Sequence, residues 1–512
     1  MPEQKLYWGE IHTHTALSDG NGSAEENFQI ARSHLDFWAM ADHAYDPEVF
    51  NFDYRARGPN REILNDRWGD VQDLCRSHEE PGRFIPLLAY EWTNYRYGHH
   101  NVYYLDYDQP IRMPPTLPEL YEALRNVEAL VIPHHGGYPV GICGKDWDFH
   151  DDRLSPFVEI YSLHGSSEEP DGIRPLLTPG SWMGPGASGG SVQDGLARGY
   201  RLGIMASSDS HGDHPGAYDN GLIAAYAQEL SRPALWESLR KRRIYGVTGD
   251  RIALDFRING QPMGSVVPLT QDRTIEIEVA AWDKVDRVEV LKNNRVLHCF
   301  NEPSGPDTSP GDGIRFRFMV EWGWDVDAAH DWTGSLKVAD GRILQAIPCF
   351  RGRARDRLAK GITSRTDSRC RWTSNTPKPA IRKHARTSAD GLAFELEGKM
   401  GAPIEFVFTC DERTRQFAVT PAEILKGSSV VYVVDVPRSN NGAQWRHLET
   451  LAKVKVHQGW PSSHLTLNLS CDDTARGEPE RSEDFYYVRV VQRNGQRAWS
   501  SPTWVQQTGA DQ

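Results

Sequence analysis

The chain of 512 residues has no Cys-x-x-Cys pair, no long apolar run and no excess of positive charge. Its seven cysteines (75, 143, 299, 349, 370, 410 and 471) are odd in number and widely spaced, which suits free thiols in a reducing compartment better than a disulfide framework. No uninterrupted apolar stretch is long enough to span a bilayer, and no basic segment followed by an apolar one opens the chain. Neither a membrane partner nor a secretory leader is therefore expected, and the expected location is cytoplasmic. Lys and Arg number 57 against 70 Asp and Glu, a formal net charge of −13, which excludes non-specific nucleic-acid binding as the main role. With 39% hydrophobic and 25% charged residues the composition is that of a soluble globular protein, and the length predicts two or three domains.

What is present is histidine, unevenly placed. Thirteen of the nineteen histidines lie in the first 214 residues. Six short apolar segments there end in side chains able to hold a metal. "LYWGEIHTHTALSDG" ends in His12, His14 and Asp19; "HLDFWAMADH" in Asp42 and His43; "RFIPLLAYEWT" in Glu91. "ALVIPHH" ends in His134 and His135, "FVEIYSLHG" in His164, and "RLGIMASSDSH" in Asp209 and His211. Residues i and i+2 of a strand point to one face, so a His-x-His at a strand end aims two imidazoles at one point. Asp209-x-His211 repeats that spacing. Alternation also lets only one of His134 and His135 face inward, and Asp42, beside His43, is read as capping or supporting rather than ligating.

Between these segments lie helical patterns. "SAEENFQIARSH" opens at Ser23 with Glu26 in capping-box position, "TLPELYEALRNVEA" has apolar residues at helical spacing, and "SRPALWESLRKRRIYG" opens at Ser231 and closes near Gly246. Alternating strand and helix over residues 1–250 predicts parallel crossover units, and ligands at strand C-termini around one site predict a closed or nearly closed (β/α) barrel. Residues 165–195, rich in Gly, Pro and Ser, read as a long loop, either a lid or a plain surface excursion. Residues 251–350 and 391–512 alternate apolar and polar residues with period two, which predicts an antiparallel, sandwich-like β-rich C-terminal region, in two parts or as one sandwich. Asn293-Asn294 and Asn494-Gly495 mark hairpins. The intervening 351–390 is a basic linker, with twelve Lys/Arg and two Asp/Glu over 351–387. The histidines from 298 to 464 read as ordinary surface or packing residues.

The candidate ligands are thus His12, His14, Asp19, His43, Glu91, His134, His164, Asp209 and His211, too many for one ion and enough for three. This set, with Ala41-Asp42-His43, resembles that of the polymerase-and-histidinol-phosphatase (PHP) superfamily. "YEWTNYRYGHHNVYY", "SVQDGLARGYRLGIMASSDSH", "RRIYGVTGDRI" and "YYVRVVQRNGQRAWSSP" extend the resemblance to a large branch known only as a domain of unknown function, related to metallohydrolases that include carbaryl hydrolases. The resemblance implies a distorted (β/α)7 PHP barrel carrying two or three divalent ions. By position, His12, His14, Glu91 and Asp209 would hold one ion, and Glu91, His134 and His164 a second across a Glu91 bridge. Asp19, His43 and His211 would hold a third. Many relatives have a histidine where this chain has Asp19, and the harder oxygen donor shifts that third ion toward Mn or Fe; the mixed set accepts Zn, Mn or Fe.

A water or hydroxide bridging two cations is nucleophilic near neutrality, so the expected activity is metal-dependent hydrolysis, first of small-molecule phosphate mono- or diesters. Carbamates, carboxyl esters and aryl sulfates are the alternative substrates, and a carbohydrate- or protein-binding module on an inactive barrel is the alternative of another class. His99 and His100 are candidate general acids, with Glu91 as the bridging catalytic carboxylate. Tyr138, Lys145 and Arg251 are candidates to bind an anionic group. A homo-oligomer is left open.

Overall fold

The computed structural model describes residues 4–44, 64–176, 184–306, 313–325, 328–351, 359–377, 389–433, 451–474 and 483–506. The N-terminal apolar run forms β1 (Lys5–Glu10). The Ser23 hydroxyl accepts from the Glu26 N–H at 3.1 Å and starts α1 (Ala24–His34). Then come β2 (Phe37–Trp38), β3 (His43–Ala44), α2 (Trp68–His78), β4 (Ile85–Pro86), β5 (Leu88–Trp92) and β6 (His100–Tyr104). A capping box between Thr116 and Glu119 opens α3 (Leu117–Leu124). After it lie β7 (Ala129–Pro133), β8 (Phe157–Ser162), β9 (Gly165–Ser166), α4 (Val192–Ala197), β10 (Gly203–Ala206) and β11 (Leu222–Ala227). Ser231 caps α5 (Arg232–Arg240), which ends six residues before Gly246 because the β-prone Ile244, Tyr245 and Val247 form β12 (Ile244–Val247) against β11.

These elements do not make the expected (β/α)7 barrel. Among the described residues no sheet closes on itself, and the six helices are short, none longer than eleven residues. The architecture is α/β with mixed sheets. The pairs β1–β2, β2–β4, β3–β5 and β8–β10 are parallel, but β1–β11, β11–β12, β5–β6, β6–β7 and β8–β9 are antiparallel. The reason is visible between β5 and β6: seven residues, 93–99, join them. A parallel crossover needs about a dozen or more, so the chain turns straight back.

Alternation along these strands sorts side chains to two cores. Phe37, Ala39 and Ala41, with Ile85, Leu87 and Ala89, and Leu130 and Ile132, belong to one buried cluster that also takes Tyr103, Phe157 and Met205. The opposite parity, including Trp38, Met40, Leu88, Tyr90 and Trp92, packs with Phe28 and Ala31 of α1 and Val71 and Cys75 of α2.

From residue 253 onward the strands form antiparallel sheets of four, six and five strands and also extend the sheet of β1 to eleven. Phe316, Phe318, Val320 and Trp322 of the six-stranded sheet share a core with Trp332, Leu336, Trp372 and Phe408 of the five-stranded one. Asn293 and Asn294 both take left-handed φ (50° and 63°), the geometry of a tight hairpin turn. The hairpin at Asn494-Gly495 carries strand Arg497–Ser500 onto β12, with Tyr245 opposite Ser500 and Val247 opposite Ala498. Part of the basic stretch forms strands Gly361–Arg365 and Arg369–Thr376; its residues 352–358 and 378–388 lie outside the described ones, as do 177–183 of the long loop. Among the described residues no helix is long and apolar enough to cross a membrane.

His330, at the start of strand His330–Val338, sits between Asp325 and Asp411, each carboxylate 2.8 Å from one ring nitrogen. Both nitrogens facing carboxylates is the geometry of an imidazolium. Burial works against the charge, but the two carboxylates outweigh it and push the imidazole above its ordinary range. A raised pKa stabilises the fold fully below the unfolded value of about 6.5 and ceases to do so as pH rises through the folded value. The difference in urea midpoint between wild type and His330→Gln should therefore be largest near pH 5.5 and shrink toward pH 9; a difference constant with pH would refute the charged clamp. In the inner core, fully buried Leu130 replaced by Ala should cost about 2–5 kcal/mol in chemical denaturation.

Candidate metal centre

The rows that build the inner core also aim the functional side chains. His43 continues the row of Phe37, Ala39 and Ala41, and Glu91 that of Ile85, Leu87 and Ala89. The two residues are register partners on parallel β3 and β5. His134 continues Leu130 and Ile132. On β6 the row of Tyr103 and Asn101 leads to His99, whereas His100 shares the outer row of Val102 and Tyr104.

His12 and His14 follow β1 in a stretch bonded on both sides. The Asp209 N–H donates to His12 O at 2.9 Å, the His14 N–H to Ser210 O at 2.8 Å, and the Ala41 N–H to Thr13 O at 2.8 Å. The motifs His12-Thr13-His14 and Asp209-Ser210-His211 thus lie side by side, bridged at Thr13 and Ser210. Asp209 is not extended: its φ of +52° is left-handed, so it and His211 reach the cluster through a turn rather than through strand pleat. Gly20 packs on the His14 backbone, where an added Cβ would lie 2.4 Å from the carbonyl carbon, and so lets the following turn bring Asp19 in.

Two buried carboxylates organise the cluster. Glu91 Oε2 lies 3.7 Å from His12 Nε2 and 3.4 Å from His14 Nε2. Its Oε1 lies 2.8 Å from His99 Nδ1, 3.2 Å from His43 Nδ1 and 3.6 Å from His134 Nε2. Asp209 Oδ1 lies 3.4, 3.2 and 3.7 Å from His12 Nε2, His14 Nε2 and His211 Nδ1, and its Oδ2 lies 3.1 Å from His164 Nε2. Asp19 Oδ1 faces His211 Nε2 at 3.3 Å and His43 Nε2 at 3.6 Å. All nine expected ligands are therefore brought together.

Several groups here could hold divalent cations. The donor atoms of His12, His14 and Glu91 lie within 4.8 Å of one another, as do those of His12, His134 and Asp209, and those of His14, Asp19, His43 and His211. The expected trio Asp19, His43 and His211 is thus joined by His14, and His164 enters through Asp209. Four imidazoles present Nε2 to a carboxylate while Nδ1 is held from behind. The holders are Glu159 Oε2 for His12 (2.9 Å), Thr93 Oγ1 for His43 (2.6 Å), Tyr138 Oη for His164 (2.9 Å) and the Asp209 carbonyl for His211 (2.9 Å). Supports of this kind fix the tautomer and leave the inner nitrogen free to coordinate. His12 Nε2, Glu91 Oε2 and both nitrogens of His134 are buried with no hydrogen-bond partner among the described residues, so the donor set fits a cation.

Titration follows the same logic. Burial opposes charge at Glu91 and Asp209, yet the surrounding imidazoles hold both carboxyls well below the usual range. Asp19 is held at about 2 against burial by His211, His43 and His14. Burial, with His211 and His43 alongside, lowers His14 to about 3, and burial and His12 lower His134 to about 4. His43 is raised to about 9 because Glu91 and Asp19 outweigh its burial. Ionised carboxylates beside neutral imidazoles are the donor state a cation needs; at His12, where Asp209 and Glu159 outweigh burial and raise the imidazole well above its ordinary range, and at His43 the surroundings call for positive charge.

Other expected site residues fall elsewhere. His100 points to the outer row, with Nδ1 donating to Gly98 O at 2.9 Å and its ring 6.0 Å from that of Trp92. The buried Lys145 ammonium donates to Phe149 O, and burial lowers it to about 7. Arg251 donates through Nη2 to His34 O at 2.6 Å. Tyr138 is at the cluster, as the holder of His164. Asp42 supports from outside, accepting from the Thr15 N–H, the Thr15 hydroxyl and the Ser18 hydroxyl at 2.7, 2.8 and 2.5 Å. Sequence reasoning missed Glu159 and His135. Glu159 stands two residues after the inward Phe157, a signal alternation could have supplied. His135 has a φ of +35°, which breaks the alternation that allowed only one of His134 and His135 inward and turns its ring to 4.3 Å from that of His134 and 5.3 Å from that of His164.

No protein-family model matches the chain. It is 26% identical over 325 residues to an uncharacterised protein of Chlamydia pneumoniae, covering 58% of this chain and 48% of that one. An uncharacterised protein of Chlamydia trachomatis is 26% identical over 326 residues, covering 59% and 49%. The chain spans about half the length of the curated relatives it matches. Among solved structures, a two-domain protein of Bacteroides vulgatus containing a predicted PHP-like metal-dependent phosphoesterase aligns over 82% of this chain and 97% of that one. Its identity is 12% and its TM-score 0.32, a distant match too loose to assign a shared fold or activity.

Glu159→Gln should weaken divalent-ion affinity by about 10–100-fold with the fold retained, since it loosens His12 without removing a ligand. Competition against a chromophoric chelator measures it, and unchanged affinity would refute the supporting role.

Proposed function

We propose that this chain is a metal-dependent hydrolase acting on small-molecule phosphate mono- or diesters. The observation that carries the reading is the gathering, on the two oxygens of Glu91, of buried donor atoms without a hydrogen-bond partner among the described residues: His12 Nε2, Glu91 Oε2 and His134 Nε2. Each such atom costs about 1–3 kcal/mol if nothing answers it. Divalent cations answer all of them together.

His12, His14, Glu91 and Asp209 would hold one ion, Glu91, His134 and His164 a second, and Asp19, His43 and His211 a third. Glu91 suits the bridge because its two oxygens face different imidazoles, Oε2 toward His12 and His14 and Oε1 toward His43 and His134. Bound cations supply a Lewis acid and lower the pKa of a coordinated water toward neutrality. The protein's own part is orientation. Glu159, Thr93 and Tyr138 hold the imidazoles, and the inner core beneath keeps water from the far side. Substrate enters past Asp19 and His211, whose side chains are 24% and 28% exposed, while those of His12, His14 and Glu91 are fully enclosed. Lys145 and Arg251 are bound to backbone carbonyls elsewhere, so the negative charge of a phosphoryl group is met at the cation cluster itself. That favours a compact, strongly anionic group over a neutral ester.

Elemental analysis of the purified full chain should find two or three equivalents of Zn, Mn or Fe. Chromogenic phosphate monoester and diester should be turned over, and chelation should abolish the activity. Turnover of an aryl carbamate, carboxyl ester or sulfate without any phosphoester would replace the substrate class. A metal-free chain that binds a glycan or a protein would replace the enzyme reading altogether. Glu91→Gln should lower kcat by on the order of 1,000-fold or more, the scale of losing a preorganised charged group.

A further inference from the structure

Beside the nine side chains just assigned lie two further imidazoles with no assigned role, those of His99 and His135, packed against His134. His99, His134 and His135 are 6%, 1% and 4% exposed. Their ring centroids are 4.9 Å apart for His99 and His135, 4.3 Å for His134 and His135, and 5.7 Å for His99 and His134. The donor nitrogens of all three lie within 4.8 Å of one another. His99 Nε2, His135 Nδ1 and both nitrogens of His134 have no hydrogen-bond partner among the described residues.

The tautomer of His99 indicates what is missing. Its Nδ1 lies 2.8 Å from Glu91 Oε1, and a neutral His99 with its proton on that side has its lone pair on Nε2. A buried lone pair without a donor calls for a cation, not an anion. The backbone is bent to make the group. His135 holds the left-handed φ of +35° that non-glycine residues avoid, and without that turn its ring would leave the cluster. On the other side, Gly98 has φ +85° and approaches Gly144 O so closely that a Cβ would lie 2.8 Å from it, which sets the entry into His99. The two segments are tied where the His134 N–H donates to His99 O at 3.4 Å.

We propose that His99 and His135, together with His134, hold a further divalent ion, in a three-nitrogen site that adjoins the mixed oxygen and nitrogen centre and shares His134 with it. Three imidazoles with one open position favour a borderline ion such as Zn²⁺ or Co²⁺ over Mg²⁺ or Mn²⁺. The site rests on the metal-centre reading for its surroundings, and it would make His99 a ligand rather than a general acid.

The test is stoichiometry on the full chain, stripped with chelator and reloaded with Co²⁺, with equivalents counted by elemental analysis and visible absorption recorded. His99→Asn and His135→Asn should each lose the same single equivalent, and the double variant no more than that one. The visible band of nitrogen-ligated Co²⁺ should fall in step, while His298→Ala, an exposed control, keeps the wild-type count. Folded variants that retain every equivalent would overturn the proposal, as would variants that lose all of them. If the variants do not fold, an anomalous difference map of Co²⁺-loaded wild-type crystals decides: a peak among the three imidazoles supports the site, and its absence with the neighbouring positions filled refutes it. A wild-type chain that takes up no ion at all would refute the metal-centre reading as well, whereas failure of this site alone leaves that reading standing.

Discussion

Two carboxylates enclosed by imidazoles are the constraint around which this molecule is arranged. Glu91 and Asp209 are 0% and 2% exposed, and ionised groups in so dry a place are tenable only when opposite charge is close. Imidazoles supply that charge weakly and only by taking up protons, which crowding among neighbours such as His14 and His211, with ring centroids 4.0 Å apart, discourages. Divalent cations would resolve the conflict. They would supply the charge, leave the imidazoles neutral and use the lone pairs that are otherwise stranded.

The surrounding fold brings these groups to one place and keeps them there. Short parallel pairings align His43 with Glu91, the bridge between Thr13 and Ser210 aligns the two x-spaced motifs, and the inner core forms a floor of buried apolar side chains. The C-terminal strands take part in this. Glu168, four residues beyond His164, accepts from the Tyr487 hydroxyl at 2.8 Å, the Trp499 indole N–H at 2.9 Å and Arg489 Nη1 at 3.1 Å. The segment after His164 is thereby pinned to strands more than three hundred residues away in the chain, and strand Arg497–Ser500 continues the sheet of β1 and β12. A β-rich half read from sequence as a separate texture thus shares a sheet and a buried polar seam with the half that bears the cluster.

Legibility from the sequence differed by kind of feature. Helix starts at Ser23 and Ser231 and turns at Asn293-Asn294 and Asn494-Gly495 were readable because they depend on a few adjacent residues. The inward facing of His43 and Glu91 followed from two-residue periodicity, which left either His134 or His135 to face inward. The same periodicity misleads at His135, where one left-handed residue reverses the facing, whereas it holds at Glu159 and separates His99 from His100. Barrel closure was not readable. Strand direction depends on which strands pair, and the antiparallel returns β5–β6–β7 and β1–β11–β12 arise from connection length and from contacts distant in the chain.

The amino-acid order alone determined which residue types are available and which strand ends carry them, because ligand chemistry and side-chain alternation are local properties. Only the tertiary structure decided that the nine meet around Glu91 and Asp209, that Glu159, Thr93 and Tyr138 stand behind them, and that Lys145 and Arg251 stand apart. Those outcomes are set by pairing between segments tens to hundreds of residues apart, and no local pattern encodes which partner a strand edge will find.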